Sequence, residues 1–301
     1  MTDPLQVGAV AIDPDWLRTH PLPQPDEGGD KDGRGSVLVI GGCAEVPGAV
    51  RLAGEAALRA GAGRLRLATA RSVAPHLALA VPESLVIALD ETETGCIAAT
   101  APAALREKLA HCDTLLLGPG LMAEEEAALT AEVLTDVQEG CAVVLDAAAL
   151  SGLAAQPELV RRHRGRAVIT PHAGEMARLL DLPRDEVEAD PLAAAHRAAE
   201  HLACVVVMKG SRTHVVAPGG IVLVSDHGHV GLATSGSGDT LAGMIAGLLA
   251  RGTAPLTAAA WGVWVHAEAG HRLARRLGPL GFLARELPGE VPAILADLAP
   301  A

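Results

Sequence analysis

From Ser36 onward the chain repeats one pattern: a short apolar run, then a turn, then a helical period. "SVLVIGG" leads into "PGAVRLAGEAALRAGAG", "TLLLGPG" into "AEEEAALTAEVLTDVQEG", "AVVLDAA" into "LSGLAAQPELVRRH", and "AVITPH" into "AGEMARLLDL". A strand with no polar face is covered on both sides, and strands that alternate with helices align in parallel. The expected fold is α/β, a three-layer α/β/α sandwich around a mainly parallel sheet. Farther on, "CVVVMKG", "THVVAPGG" and "IVLVSDHG" follow one another with only short turns between, which predicts antiparallel strands at one edge. Two long helices are expected over 239–251 and 256–277. The stretch 20–35, "HPLPQPDEGGDKDGRG", is dense in Pro, Gly and charge and reads as a surface arm, so the chain divides into an arm (1–35) and one domain (36–301).

Such a sandwich must fill its core with Ala, Val and Leu: half of the residues are hydrophobic, but only 1% are aromatic, with no tyrosine and a single phenylalanine, Phe282. A net charge of -12 excludes free nucleic acid as a partner, because duplex binding needs a basic face. The five cysteines (Cys43, Cys96, Cys112, Cys141, Cys204) are scattered singly, which argues against a disulfide framework or a zinc site and for small buried hydrophobes in a reducing cytoplasm. No apolar run reaches the roughly 18 residues that span a bilayer. The acidic N-terminus lacks a basic-then-apolar leader, so a cytoplasmic protein with no membrane partner is expected.

In open parallel sheets ligands bind beyond the C-terminal ends of the strands. Six motifs fall there: "GGCAEVPGA" (41–49), "GPG" (118–120), "DAAAL" (146–150), "TPHAGE" (170–175), "KGSRT" (209–213) and "TSGSGD" (234–239). Any one of them is explained as a turn; six on one rim are better explained as a pocket. In the last, Gly236, Ser237 and Gly238 precede a helix whose free N–H groups would form an anion hole. Asp239 is open to two readings there, a helix cap or a general base beside a phosphate. No Lys-Ser/Thr pair follows these glycines, which excludes a Walker A loop, and "GGCAEVPG" is not a GxGxxG dinucleotide fingerprint. His172 reads equally as a ligand contact or a packed turn residue. Glu175, in the first helical turn, suits the helix dipole and also a Mg²⁺ ion. His227 and His229 are too few for a metal site, and His266 and His271 read as structural or exposed.

"VLVIGGCAEVPGAVRLAGEAALRAGAG", "LLLGPGL", "VITPHAGEMARLL", "VVVMKGSRTHVVAPGG" and "ATSGSGDTLAGMIAGLLARG", in that order, resemble the ADP/ATP-dependent NAD(P)H-hydrate dehydratases of the ribokinase-like superfamily, from about Gly35 to Leu277. The resemblance implies an ADP-dependent carbon-oxygen lyase that repairs hydrated NADH or NADPH. ADP or ATP, with Mg²⁺, phosphorylates the ring hydroxyl, and loss of phosphate restores the cofactor. It implies hydrate contacts at Ala49, Gly120, His172 and Asp239, the last as catalytic base. Nucleotide contacts are implied at Lys209, Gly210, Ser211, Arg212, Thr213 and Gly238. It further implies a homo-oligomer, a tetramer, and a separate NAD(P)H-hydrate epimerase, since fewer than forty residues precede the core.

The chain departs from that family in three places: Ala148 stands where a carboxylate is usual, Ser235 where a glycine is usual, and "HGHVGL" (227–232) replaces the usual lead-in to the anion hole. Two other readings stay open at this level. One is a ribokinase-like kinase for a vitamin precursor, which would share anion hole and aspartate. The other is a non-catalytic nucleotide-binding protein.

Overall fold

The computed structural model of the chain describes residues 8–24, 28, 30–122 and 126–299. The first seven residues, parts of the expected arm (25–27 and 29), the "AEE" at 123–125 that begins the helix expected after "GPG", and the last two residues lie outside the described residues. In chain order the strands are β1 (Val10–Ala11), β2 (Ser36–Ile40), β3 (Arg64–Ala70), β4 (Ser84–Leu89), β5 (Thr114–Leu117), β6 (Ala142–Leu145), β7 (Ala167–Ile169), β8 (Val205–Met208), β9 (Thr213–Val216) and β10 (Val222–Ser225). They form one sheet in the order β1-β10-β9-β8-β7-β6-β5-β2-β3-β4.

Every pair from β4 across to β8 is parallel, and β8–β9 and β9–β10 are antiparallel, as the change of sequence rhythm predicts. The extreme edge differs from expectation: β1 lies there, parallel to β10, with Val10 opposite Leu223. A two-residue strand has no periodicity to read, which is why it was illegible inside the N-terminal arm. Behind it, α1 (Pro14–Thr19) buries Leu17 completely, and the Trp261 indole N–H donates to the His20 carbonyl at 2.8 Å.

The other helices are α2 (Gly48–Arg59), α3 (Ala74–Ala80), α4 (Pro102–Leu109), α5 (Glu126–Asp136), α6 (Glu158–Arg161), α7 (Ala173–Leu180), α8 (Arg184–Ala189), α9 (Pro191–Leu202), α10 (Ser237–Ala250), α11 (Pro255–Leu277) and α12 (Leu287–Asp297). They cover both faces of the sheet. Val37 and Val39 of β2 pack with α2, α10, α11 and α12, whereas Leu38 and Ile40 pack with α4, α5, α7 and α9. The same period of two continues along β5 to β8, so uniformly apolar strands feed two cores at once.

With few aromatics available, the layers close by backbone proximity. A Cβ on Gly243 of α10 would sit 2.1 Å from the Ala53 carbonyl oxygen of α2, and one on Gly247 would sit 2.4 Å from that of Ala57. The helix expected across "LSGLAAQPELVRRH" is mostly two 3-10 turns (147–150 and 153–155) ahead of the one-turn α6. Gly152 is left-handed (φ 78°) and Pro157 begins the next turn, so no continuous helix can form. Among the described residues no helix is long and apolar enough to cross a membrane.

Candidate active site

Strand order reverses between β2 and β5, and a crevice opens outside the carboxyl ends of strands that diverge in this way. The two loops meet there: the Gly42 N–H donates to the Pro119 carbonyl at 2.8 Å. Gly120, with φ 69°, leaves no room for a side chain, since a Cβ would lie 2.7 Å from the Val46 oxygen and 2.9 Å from the Ala49 Cβ. Ala49 and Gly120 therefore face each other across this end of the rim.

From that point contacts run around the rim without a break. Gly118 (φ 127°) abuts the Asp146 carbonyl. Asp146 Oδ1 accepts from Thr170 Oγ1 at 2.7 Å and from Lys209 Nζ at 2.9 Å. The Lys209 N–H donates to the Pro171 carbonyl at 2.8 Å, which holds "KGSRT" beside "TPHAGE". Lys209 Nζ also lies 3.5 Å from Glu175 Oε2 and would be 3.4 Å from a Cβ on Gly238. All six sequence motifs are thus joined through direct neighbours.

His172 and Glu175 are tied to each other. His172 is the N-cap of α7, its Nδ1 accepting from the N–H groups of Gly174 (3.0 Å) and Glu175 (3.3 Å). The Glu175 carboxylate accepts from the His172 N–H at 2.8 Å, which completes a capping box. With Nδ1 accepting, the neutral ring carries its proton on Nε2, 3.3 Å from Glu175 Oε1. Burial, and the cations Lys209 and Arg178, hold the imidazole below its ordinary pKa against the pull of Glu175.

Asp239 is not a cap. Gly236, left-handed at φ 85°, is the N-cap of α10, and Asp239 is the third residue of the helix. A Cβ on Gly236 would lie 2.4 Å from Leu52 Cδ1, so this turn also needs glycine for space. The Ser237 N–H turns to the Thr234 carbonyl at 3.2 Å. Gly236 and Gly238 donate to no carbonyl among the described residues, and their N–H groups stand at the positive end of the helix dipole. Asp239 itself is half-buried, and its carboxyl is pushed up to about 7 by burial and by the charges of Asp146 and Glu175, with Lys209 pulling the other way.

A cavity of about 780 Å³ opens beside this helix start, lined on its polar side by His172, Lys209, Ser211, Thr213, Ser237 and Gly238. Its other side is apolar, with Leu232, Leu241 and Val263, a suitable wall for a planar base. Gly210 also lines it. Arg212 instead faces a neighbouring cavity of about 570 Å³ and pairs bidentately with Asp226, at 2.6 and 3.1 Å.

Asp146 belongs to the rim motif "DAAAL", but its pairing with Lys209 carried no local sequence signal, and neither did His266 as a site residue. Asp146 sits 63 positions from Lys209. His266 of α11 lines the cavity with its Nε2 2.9 Å from Ser237 Oγ and 3.1 Å from the Ser237 carbonyl oxygen, and burial lowers its pKa to about 4. The departures from the family pattern are also accommodated. Ser235 is exposed and is not among the residues with positive φ, so its backbone does not require glycine. Ala148 is buried in the 3-10 turn after Asp146. In "HGHVGL", His227 stacks on Trp264 with centroids 4.2 Å apart and bonds Glu268 at 3.0 Å, while His229 caps the turn 230–232. No group of three or more His, Cys, Asp or Glu among the described residues is arranged to hold a metal ion.

A helix start with free N–H groups, a lysine and a carboxylate poised to accept a proton is the equipment for moving a phosphoryl group to an alcohol. On this sheet it defines a ribokinase-like protein: a ribokinase-like superfamily protein from Enterococcus faecalis superposes with a TM-score of 0.79 at 27% identity, covering 97% of each chain. A family model described as NAD(P)H-hydrate dehydratase matches residues 37–292, and the chain belongs to that family. It is 53% identical over 283 residues to the ADP-dependent (S)-NAD(P)H-hydrate dehydratase of Xanthomonas campestris, covering 94% of each. The ADP/ATP-dependent NAD(P)H-hydrate dehydratase of Bacillus subtilis, co-crystallised with ATP/Mg²⁺, gives a TM-score of 0.79 at 26% identity, covering 96% of this chain and 99% of that one. The chain spans about half the length of the bifunctional NAD(P)H-hydrate repair enzymes that it also matches.

Proposed function

We propose that the protein restores hydrated NADH or NADPH by nucleotide-dependent dehydration, and that Asp239 is its catalytic base. The observation that carries this is a carboxyl pushed up to about 7 at a helix start with free backbone donors. Water leaves poorly and phosphate leaves well, so the ring hydroxyl is first phosphorylated. Asp239 accepts the hydroxyl proton as that oxygen attacks the terminal phosphorus. The N–H groups of Gly236 and Gly238 receive the negative charge that develops on the transferring group, with the Lys209 ammonium close by. Departure of phosphate, with a proton lost from the neighbouring ring carbon, restores the double bond.

The nucleotide takes the cavity, with Lys209, Gly210, Ser211, Thr213 and Gly238 on its phosphate side and the apolar wall on its base. The hydrate takes the crevice marked by Ala49, Gly120 and His172, so that Asp239 lies between the two ligands. Mg²⁺ favours one or two carboxylates plus phosphates over an all-protein cage, and the acidic rim fits that donor set. Glu175 would hold the ion together with the nucleotide phosphates, and the ion would offset charge on the transferring group. We read residues 36–301 as one catalytic domain, with the described part of the arm closing its sheet edge. Family resemblance supports a cytoplasmic homotetramer working beside a separate epimerase.

The test is incubation of purified protein with chemically hydrated NADH, Mg²⁺ and ADP or ATP, following the reduced-cofactor absorbance. Recovery with either nucleotide is expected. No recovery with either, alongside phosphorylation of an unrelated alcohol, would overturn the reading.

A further inference from the structure

At the opposite pole, the N-terminal ends of the strands, the fold brings together two cysteines that are 29 residues apart in sequence. Cys112 lies two residues before β5, and Cys141 immediately before β6. These strands are parallel neighbours, with Thr114 opposite Ala142, and the Ala142 N–H donates to the Asp113 carbonyl at 2.9 Å. That register sets both residues at the entries of adjacent strands at the sheet margin, with their sulfurs 3.5 Å apart. Asp113 stands opposite Cys141, so Cys112 is offset by one residue. Strands about 4.8 Å apart with a rise of about 3.3 Å per residue give a diagonal inside the roughly 4.4–6.8 Å span of Cα separations that disulfides bridge. Closing the last gap between the sulfurs needs a side-chain adjustment and leaves the strand pairing intact.

Both thiols are free and buried, and both line one cavity of about 760 Å³ that also presents Asp113, Gln138 and Arg166. No other cysteine pair among the described residues is in hydrogen-bonding contact. We propose that Cys112 and Cys141 form a reversible dithiol–disulfide site whose co-substrate is a low-molecular-weight disulfide entering through this cavity.

The two sulfurs have different roles. The hydrogen bond from Cys141, aided by the Arg66 guanidinium, outweighs burial and lowers the pKa of Cys112, while the same hydrogen bond and burial raise that of Cys141. Cys112 is therefore the attacking thiolate. It forms a bond to one sulfur of the incoming disulfide, and the other sulfur leaves as a thiolate. Cys141, losing its proton to solvent, then attacks Cys112 Sγ and expels the second thiolate. The protein loses two hydrogens and two electrons, and the small disulfide is reduced to two thiols. The site lies away from the rim that carries Asp239, so the proposal stands or falls independently of the dehydratase reading.

The test uses the whole protein, equilibrated with oxidised glutathione in excess over reduced glutathione, then denatured, alkylated and weighed. The oxidised protein should take up three alkyl groups where the reduced protein takes up five, and peptide mapping should join Cys112 to Cys141. Reduced glutathione in excess should restore all five. Cys112→Ser, which lacks the attacking thiol, should alkylate fully at its four remaining thiols. Cys141→Ser, which lacks the resolving thiol, should hold a glutathione adduct on Cys112 and alkylate at three, and Cys96→Ser should still lose two. Full alkylation of the wild type under oxidising conditions would overturn the proposal. So would a bridge between other cysteines, or a wild-type reaction that stops at a glutathione adduct.

Discussion

The ammonium of Lys209 lies 2.9 Å from Asp146 Oδ1 and 3.5 Å from Glu175 Oε2, with all three side chains largely withdrawn from water. A buried cation between two carboxylates is destabilising to break, because removal of one partner strands the others. Lys209→Met should lower stability by about 3–5 kcal/mol in urea denaturation. Lys209→Met combined with Asp146→Asn should recover a good part of that loss without recovering turnover. A Lys209→Met protein as stable as the wild type would show that the triad is solvated in solution.

Asp239 carries the opposite expectation for stability. Its folded pKa is raised to about 7 while the unfolded chain has the ordinary value of about 4, so between these values the native state holds a proton that the unfolded state releases. Its contribution to stability is therefore intact in acid and is lost as pH rises to 7. Asp239→Asn, which cannot ionise, should be more stable than the wild type at pH 8 by about 1–3 kcal/mol, and the gain should vanish near pH 4. The same variant should lose about 10²–10⁴-fold in turnover while binding nucleotide within a few-fold of the wild type. Denaturation at two pH values, calorimetric titration with ADP and the hydrate assay together check this. Normal turnover would remove the general-base role.

A general base must be ionised, so kcat/KM should fall about tenfold per pH unit below an acid limb near 7. Asp146→Asn should move that limb to lower pH, because it removes a negative neighbour and leaves the Lys209 charge to act on Asp239. A limb in the ordinary carboxylate range in the wild type, or one that Asp146→Asn leaves in place, would contradict the electrostatic account.

Much of this was readable before any coordinates, and for a local reason. Strands such as "VLVI" and "LLL" are apolar throughout because they feed two cores, whereas His172 and Glu175 were legible only as two rim residues and their capping box came with the structure. What could not be read depends on register between distant segments. The Asp146–Lys209 pair requires β6, β7 and β8 to lie side by side, and the raised pKa of Asp239 depends on burial together with charges delivered by three separate strand ends. The choice between cap and base at Asp239 was undecidable locally for a related reason. Gly236 takes the cap position because only a residue tolerant of φ 85° fits against Leu52.

His172 allows a cap and a ligand contact to be separated. Asparagine can accept the same backbone N–H bonds, so His172→Asn should keep stability close to the wild type, whereas His172→Ala should lose about 1 kcal/mol with the cap. If the exposed imidazole edge also meets the hydrate, both variants should raise the hydrate KM by about tenfold, the value of one hydrogen bond. Thermal melts and initial-rate kinetics on the two proteins distinguish the roles. An asparagine variant with an unchanged KM would leave His172 as a cap alone.

His266 reaches the chemistry through Ser237. Its Nε2 lies within hydrogen-bonding distance of both the hydroxyl and the carbonyl oxygen of Ser237, at the first turn of α10, and its lowered pKa keeps the ring neutral across the working pH range. Ser237 is buried, so losing this partner leaves a polar group unsatisfied and frees the turn that aims the backbone donors. His266→Phe, which retains bulk but no hydrogen bond, should lose about 1–3 kcal/mol of stability. It should also lose about tenfold or more in kcat, by an amount constant from pH 6 to 8 because no proton is exchanged. His266→Gln, whose amide can donate and accept, should restore most of both. If the glutamine variant recovered stability but not kcat, the imidazole would have to touch a ligand directly in the cavity it lines, beyond holding Ser237 in place.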